Sequence, residues 1–388
     1  MTLGLVQTRQ YSTLPTMVSV TAEVRMLNNS QGVPDPRPHR RRGSSASHSC
    51  LPKQARVPVK ITSMKVFYFS EAKQGSPEML RSRLVDSTEL VYSGEVPEPA
   101  DYDVLIAAFP PRDLLEASPN LKALIIPFAG PPQPTQKLLR DFPHVSVHNT
   151  PYNHVATAET ALALLLASAK FITRGDRELR RGDWSLRYSE QPQLVLNGKT
   201  ALILGYGRIG QHMAPVCNAL GMEVIGLRRT LRPEDERDKN ATVLEVSQLS
   251  TVLPKADVLL IALPETSETI GLINGEALNQ LPDGAVLVNV GRGAVVDEGA
   301  LYQALVSRKL AAAGLDVWYR YPRDEKRRTN TLPSQYPFHD LENVVLSPHK
   351  AGWLGREDDS RMVFLTQMLN AYAAGDELPH KVSLKLGY

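Results

Sequence analysis

At roughly 150 residues per domain, 388 residues make two or three domains and exclude a single small one. Hydrophobic residues form 42% of the chain and charged ones 22%, and 44 basic against 41 acidic side chains leave only +3, which excludes a charge-based case for a nucleic-acid or membrane-surface protein. Cys50 and Cys217 are too far apart for a disulfide framework or a zinc ligand set, and the most apolar stretch, residues 161–169, is half of the ~18 that a spanning helix needs.

These features lead us to expect a soluble protein of a reducing compartment, the cytoplasm, with no metal, nucleic acid or membrane among its partners. Residues 1–62 stand apart. The first sixty carry nine basic and two acidic residues, a net +7, so the remaining 328 carry −4. They are rich in Ser, Thr and Pro and have no strong hydrophobic period, so the segment reads as a disordered basic extension outside the fold. An organelle transit peptide, an unstructured tail and a true start at Met64 all stay open.

From Met64 onward, strand and helix alternate. Short β-branched or aliphatic runs at 65–69, 104–106, 124–126 and 145–147 form a first α/β unit. Residues 156–172 are apolar around much of a helix and read as a buried connector between domains. A longer series follows, with strands at 200–204, 223–227, 258–263, 285–289, 312–316 and 344–346 and helical segments between most of them. Parallel strands need such crossovers, which predicts a doubly wound parallel sheet of Rossmann type. An amphipathic helix then runs from beyond Gly355 to about Ala374, before a short extended tail.

The strand at 202–204 runs into Gly205-Tyr206-Gly207-Arg208-Ile209-Gly210 and then into a helix. The first glycine permits the tight turn, the second lets the backbone approach a pyrophosphate, and the third allows close helix–strand packing. With a second strand at the right distance, this context marks a dinucleotide site rather than a tight turn alone. At the end of that second strand, where NAD sites usually offer a carboxylate, stand Arg228, Arg229 and Thr230. Two guanidiniums and a hydroxyl suit a 2′-phosphate, so NADP is favoured and NAD remains possible; the plainer alternative is a solvated basic turn.

Three more segments fall at strand ends: Leu287 to Gly293, Gly314-Leu315-Asp316-Val317 and Leu346-Ser347-Pro348-His349. Together with Asn149-Thr150-Pro151, Glu159 and the 262–266 segment with Thr269, they resemble the D-isomer-specific 2-hydroxyacid dehydrogenase family over roughly residues 65–388. The resemblance implies a cofactor domain (158–352) inserted into a smaller flavodoxin-like substrate domain (63–157 and 353–388), and a homodimer. It places Arg208, Ile209, Pro264, Thr269, Val290 and Gly291 against the cofactor, has Asp316 orient the nicotinamide carboxamide, and has backbone N–H groups near 128–130 hold the substrate carboxylate.

The chemistry points the same way. Hydride transfer to a 2-keto acid develops negative charge on the carbonyl oxygen, calling for a fixed cation and a proton donor. Arg292 can be the cation and clamp the carboxylate; His349 can be the donor. Either alone could be an ordinary surface residue, and Asp297 reads as a helix N-cap. The expected activity is an NADP(H)-preferring oxidoreductase acting on a small 2-keto acid of glyoxylate or hydroxypyruvate type and its D-2-hydroxy acid. The alternative is a dinucleotide-responsive, corepressor-like binding protein.

One position departs from the family pattern. A glutamate normally follows the aspartate by five residues, before a proline, and holds the histidine; here Tyr321 stands there. A neutral phenol can orient His349 but cannot raise its pKa by charge. The formate-dehydrogenase branch is similar in using a neutral amide, although the loop at 128–132 does not resemble that branch. Asp324 and Glu325 are conceivable substitutes. Trp318, Tyr319 and Trp353 are read either as aromatic walls of the site or as core and dimer packing.

Overall fold

Runs such as Ala123–Ile126, Val258–Ile261 and Ala285–Asn289 have no polar face to offer water, and each is buried on both sides in one of two parallel sheets. The computed structural model describes residues 63–70, 77–355 and 359–387. The basic extension of residues 1–62 lies outside the described residues.

The first sheet contains β1 (Met64–Phe69), β2 (Thr88–Ser93), β3 (Val104–Ile106), β4 (Ala123–Ile126) and β5 (Ser146–Asn149), in the order β2-β1-β3-β4-β5. Its crossovers carry α1 (Pro77–Arg83), α2 (Arg112–Ala117) and α3 (Gln133–Leu139). This is the flavodoxin-like order. The chain leaves this sheet through α4 (His154–Ala169), and α5 (Ile172–Leu179) follows.

The second sheet contains β6 (Thr200–Leu204), β7 (Glu223–Arg228), β8 (Thr242–Glu245), β9 (Val258–Ile261), β10 (Ala285–Asn289), β11 (Leu310–Leu315) and β12 (Val344–Leu346). Helices α6 (Arg208–Ala219), α7 (Leu249–Val252), α8 (Gly275–Gln280) and α9 (Glu298–Val306) connect its strands, whose order is β12-β11-β10-β9-β6-β7-β8. The order reverses between β6 and β9, and in such sheets a ligand crevice opens at the carboxyl ends beside the reversal.

Beyond β12 the chain returns to the first sheet. Helix α10 (Ser360–Ala373) buries Met362, Leu365, Met368 and Leu369 against Met64, Val66, Val104 and Ile125. The terminal segment pairs with β5, where Asn149 donates to the His380 carbonyl (3.1 Å) and Val382 to that of Val147 (2.7 Å). These two backbone bonds tie the short extended tail read from the sequence to an otherwise open sheet edge.

Two strands escape a search for apolar runs, β2 and β8. Both are sheet edges, where one side of the ladder faces solvent and the residues stay mixed in polarity. Several boundaries also shift by a few residues, two of them with consequences. The connector ends at Ala169 because Phe171 takes a left-handed φ of 54°. Strand β9 ends at Ile261, which frees Ala262 and Leu263 to line the crevice.

Helix α4 lies directly on the second sheet. At Gly314 a Cβ would come within 2.8 Å of the Leu164 Cβ and 3.1 Å of the Ser168 hydroxyl, so the helix sits where a side chain would be. Among the described residues no single helix is long and apolar enough to cross a membrane, and α4 and α5 pass only together, bent by 63°. Gly314→Val should therefore destabilise the fold by about 1–3 kcal/mol through overpacking, measured as a lowered midpoint in chemical denaturation. An unchanged midpoint would show that the helix can shift without cost.

Candidate active site

The glycine turn, Arg292 and His349 follow the carboxyl ends of β6, β10 and β12 of the second sheet, and the glycine turn is the most sharply defined of them. Gly205 has φ of 101°, and a Cβ there would lie 2.9 Å from the Ala262 backbone; at Gly210 it would lie 2.8 Å from the Gly205 carbonyl oxygen. A Cβ at Gly207 would meet nothing within 4 Å. The two outer glycines are thus required by packing, while the middle one borders open space at the N-terminus of α6, whose first turn has no side-chain cap. Uncapped helical N–H groups facing a hollow that a Cβ would fill fit a pyrophosphate.

The flanking residues complete the rim. Ile209 is half-buried against the core, and Arg208 is exposed, with its guanidinium 3.4 Å from the His380 ring nitrogen and over the Phe364 ring. Thr269 shapes the loop after β9 that carries Pro264: its hydroxyl donates to the Pro264 carbonyl (2.6 Å) and accepts from the Thr266 N–H (2.8 Å). Val290 is buried, and its N–H donates to the Ile261 carbonyl (3.0 Å).

At the end of β7 the sequence reading is modified. Arg228 is nine-tenths buried, and its Nη1 is 2.6 Å from Oδ1 of Asp235, itself buried. The other Asp235 oxygen accepts from the Arg232 N–H (2.7 Å), so this pair folds the 228–235 loop instead of presenting a free guanidinium. Arg229 pairs with Glu268 (2.6 Å), a carboxylate largely in solvent, and Thr230 is exposed. Tyr206 anchors the same loop from beneath, its hydroxyl donating to Asp238 (2.9 Å), with desolvation and that carboxylate holding the phenol protonated.

On the other side of the crevice, Arg292 crosses to the first sheet. Its Nη1 donates to the Gly291 carbonyl (2.7 Å), and its guanidinium fills the space that a Cβ on Gly130 would need. The backbone N–H groups of Ala129 and Gly130 donate to no protein acceptor among the described residues. A guanidinium beside two uncommitted amides is a receptor for a carboxylate. Gln133 also spans this gap, donating to Glu265 (2.8 Å). The 289–292 turn is bracketed by Asn289, which accepts from the Gly291 N–H and donates to the Arg292 carbonyl, both at 3.0 Å. The sequence reading did not single out Asn289, although a buried polar residue ending an all-apolar strand was a usable signal.

His349 occupies a left-handed conformation (φ 54°), which a non-glycine residue adopts only under constraint. The constraint is Asp316. Its carboxylate, 1% exposed, accepts from the Ser347 hydroxyl and from the N–H groups of Lys350 (2.9 Å) and Ala351 (3.0 Å). The role that the resemblance implies for Asp316 was to orient the nicotinamide carboxamide; here three donors of the histidine loop already occupy the carboxylate. His349 lies at the open mouth of the crevice with much of its surface exposed, yet the protein around it lowers its pKa by desolvation and then by the Arg292 charge, while Asp316 opposes both.

Tyr321 meets His349 ring to ring, centroids 5.4 Å apart and planes at 53°. Its hydroxyl accepts from the Trp318 N–H (3.0 Å), so the contact is made by the ring face and not by the hydroxyl. Desolvation raises the phenol pKa and keeps it protonated, against the opposing pull of the Trp318 N–H and the Arg292 charge, with smaller support from Asp316 and Glu265. Asp324 and Glu325 are committed elsewhere, to Arg327 and Arg328. Trp318 is core, packed on Phe338 with its indole N–H on the Ser347 carbonyl (2.7 Å), and the Tyr319 hydroxyl donates to the Val296 carbonyl (2.9 Å). Trp353 is exposed. Asp297 is the N-cap of α9, accepting from the Ala300 N–H (2.8 Å).

Known proteins resemble this chain in sequence and in fold. The family model described as D-isomer specific 2-hydroxyacid dehydrogenase, NAD binding domain, matches residues 162–351. Glyoxylate reductase of Aeropyrum pernix is 39% identical over 234 residues, 59% of this chain and 66% of that protein, so the chain spans just under two thirds of that relative's length. Hydroxypyruvate reductase of Thermotoga maritima is 33% identical over 238 residues, 61% of this chain and 72% of that protein. Among solved structures, the D-isomer specific 2-hydroxyacid dehydrogenase of Xanthobacter autotrophicus Py2 in complex with NADPH and MES superposes with a TM-score of 0.68 at 26% identity, covering 84% of this chain and all of the other.

Asp316→Asn tests the histidine loop. An amide offers one acceptor oxygen to three donors, so stability should fall by about 1–3 kcal/mol. Loss of the negative charge should lower the His349 pKa further, followed by NMR titration of its ring protons. A pKa that does not move would mean the carboxylate charge is not felt at the ring.

Proposed function

Because the chain belongs to the D-isomer-specific 2-hydroxyacid dehydrogenase family, we propose that it is an oxidoreductase interconverting a small 2-keto acid and its D-2-hydroxy acid, with NADP(H) preferred over NAD(H). The observation that carries the reading is the approach of Arg292 to Gly130, beside two uncommitted amides and facing the histidine loop. The Aeropyrum and Thermotoga relatives are named for glyoxylate and hydroxypyruvate, which supports a small substrate of that type.

A bound nicotinamide dinucleotide supplies or accepts the hydride. The residues of the chain do the remaining work. The amides of Ala129 and Gly130, with Arg292, hold the substrate carboxylate, and the guanidinium also stabilises the negative charge that grows on the carbonyl oxygen. His349 gives a proton to that oxygen in reduction and takes one from the hydroxyl in oxidation. Reduction needs the protonated ring and oxidation the neutral one. With the His349 pKa held low, reduction fades early as pH rises, and oxidation persists to lower pH.

For the cofactor, the end of β7 lacks the carboxylate that would hold a ribose 2′-hydroxyl. Arg228 is held by Asp235, so Arg229 and Thr230 are the groups proposed to meet a 2′-phosphate, with Glu268 exchanged for the phosphate. The Xanthobacter neighbour is in complex with NADPH, which favours the same cofactor.

Two measurements test this reading. Arg292→Ala should lower kcat/KM for glyoxylate or hydroxypyruvate by roughly 100- to 1,000-fold, with dinucleotide affinity nearly unchanged; near-normal turnover would mean the site is wrongly assigned. Wild-type protein should bind NADPH more tightly than NADH in a fluorescence titration, and Arg229→Ala should reduce NADPH affinity about tenfold while leaving NADH affinity alone. Equal wild-type affinities would sink the cofactor preference.

A further inference from the structure

Beyond β11 the chain runs through a strongly basic loop that the proposed chemistry does not use. Residues 320–332 carry Arg320, Arg323, Lys326, Arg327 and Arg328 against Asp324 and Glu325. Such a run is ordinarily a solvated face. Here it folds around a cavity of about 530 Å³ lined by Tyr319, Arg320, Tyr321, Arg323, Arg327 and Thr331.

The polar groups of this lining divide into committed and uncommitted ones. Tyr319 donates its proton to the Val296 carbonyl, Thr331 donates to the Arg327 carbonyl, and Arg327 pairs with Asp324. The side chains of Arg320 and Arg323 make no hydrogen bond or ion pair with any described residue. Tyr321 accepts from the Trp318 N–H and keeps its own proton to donate. The cavity therefore offers two guanidiniums and one phenolic O–H, all donors, and no competing carboxylate on its wall.

Its position supplies the link to the chemistry, because Tyr321 is a wall of both spaces. One side of the tyrosine lines the cavity, and its ring lies against His349. We propose that this cavity is a specificity subsite for a second anionic group, so that preferred substrates are 2-keto acids whose side chain ends in a carboxylate or a phosphate, read by Arg320 and Arg323. The proposal rests on the 2-keto acid reading above. Arg320 and Arg323 are specificity residues, and the reacting carbonyl stays with Arg292 and His349.

The experiment compares kcat/KM, with NADPH and the full chain, for three matched sets of 2-keto acids: side chains ending in a methyl, a carboxylate or a phosphate, at several chain lengths. The anionic tails should exceed the methyl tail of equal length by about tenfold to a hundredfold, the scale of one or two charge-assisted hydrogen bonds. Whichever tail gains more identifies the group the cavity takes. In Arg320→Gln/Arg323→Gln that advantage should disappear while turnover of the methyl-tailed acid stays at the wild-type level, which also shows that the variant folds. Anionic tails no better than methyl tails, or an advantage that survives in the double variant, would overturn the subsite and leave the 2-keto acid reading intact. If no 2-keto acid of any set is turned over although the dinucleotide binds, the proposed function falls, and the subsite with it.

Discussion

A buried carboxylate must have its lone pairs satisfied, and at Asp316 that requirement organises the active end of the molecule. With 1% of its surface exposed, the side chain accepts from one hydroxyl and two backbone N–H groups of the loop at 347–351. Those bonds keep His349 in a left-handed conformation it would not otherwise favour, and they fix where the chain leaves the second sheet on its way to α10. The same negative charge partly offsets the desolvation and the Arg292 repulsion that lower the histidine pKa. One residue thus holds the geometry of its neighbour and tempers the lowering of its pKa.

The site also depends on segments that cross between the sheets. Asn153, just before α4, donates to the Gly352 carbonyl (3.0 Å), which joins the outgoing and returning crossings at one place. Arg292 and Glu265 reach out from the second sheet, and Gly130 and Gln133 meet them from the first. Neither sheet holds a complete carboxylate receptor: one contributes the guanidinium, the other the backbone amides. A change in the relative position of the sheets would therefore alter the approach of Arg292 to Gly130 before it altered the glycine turn, which belongs wholly to the second sheet.

Tyr321 stands beside His349 where the family resemblance leads one to expect a carboxylate. The ring takes the place beside His349 as an aromatic wall, and its hydroxyl turns away to accept from the Trp318 N–H. A neutral aromatic neighbour leaves the histidine pKa to burial, Arg292 and Asp316 alone. The same residue also lines the arginine-rich cavity.

By itself the sequence determined the parallel architecture and the glycine turn, because each is written in local pattern. Short aliphatic runs such as 258–261 and 285–288, separated by helical segments, read as strands buried on both faces, and Gly205 to Gly210 sits between a strand and a helix where its spacing has meaning. Asp297 as a helix cap is equally local. What only the tertiary structure decided involves partners far apart in the chain or groups whose surroundings are not local. The edge strands β2 and β8 gain their identity from a neighbour and not from their own polarity. The pairing of Arg228 with buried Asp235 takes one of two adjacent arginines out of the crevice, although their side chains are chemically identical. Asp316 engages a loop more than thirty residues further along the chain. The physical reason is the same in each case: a charge or an unpaired backbone group is satisfied by whatever packing brings within about 3 Å, and that is a property of the folded molecule.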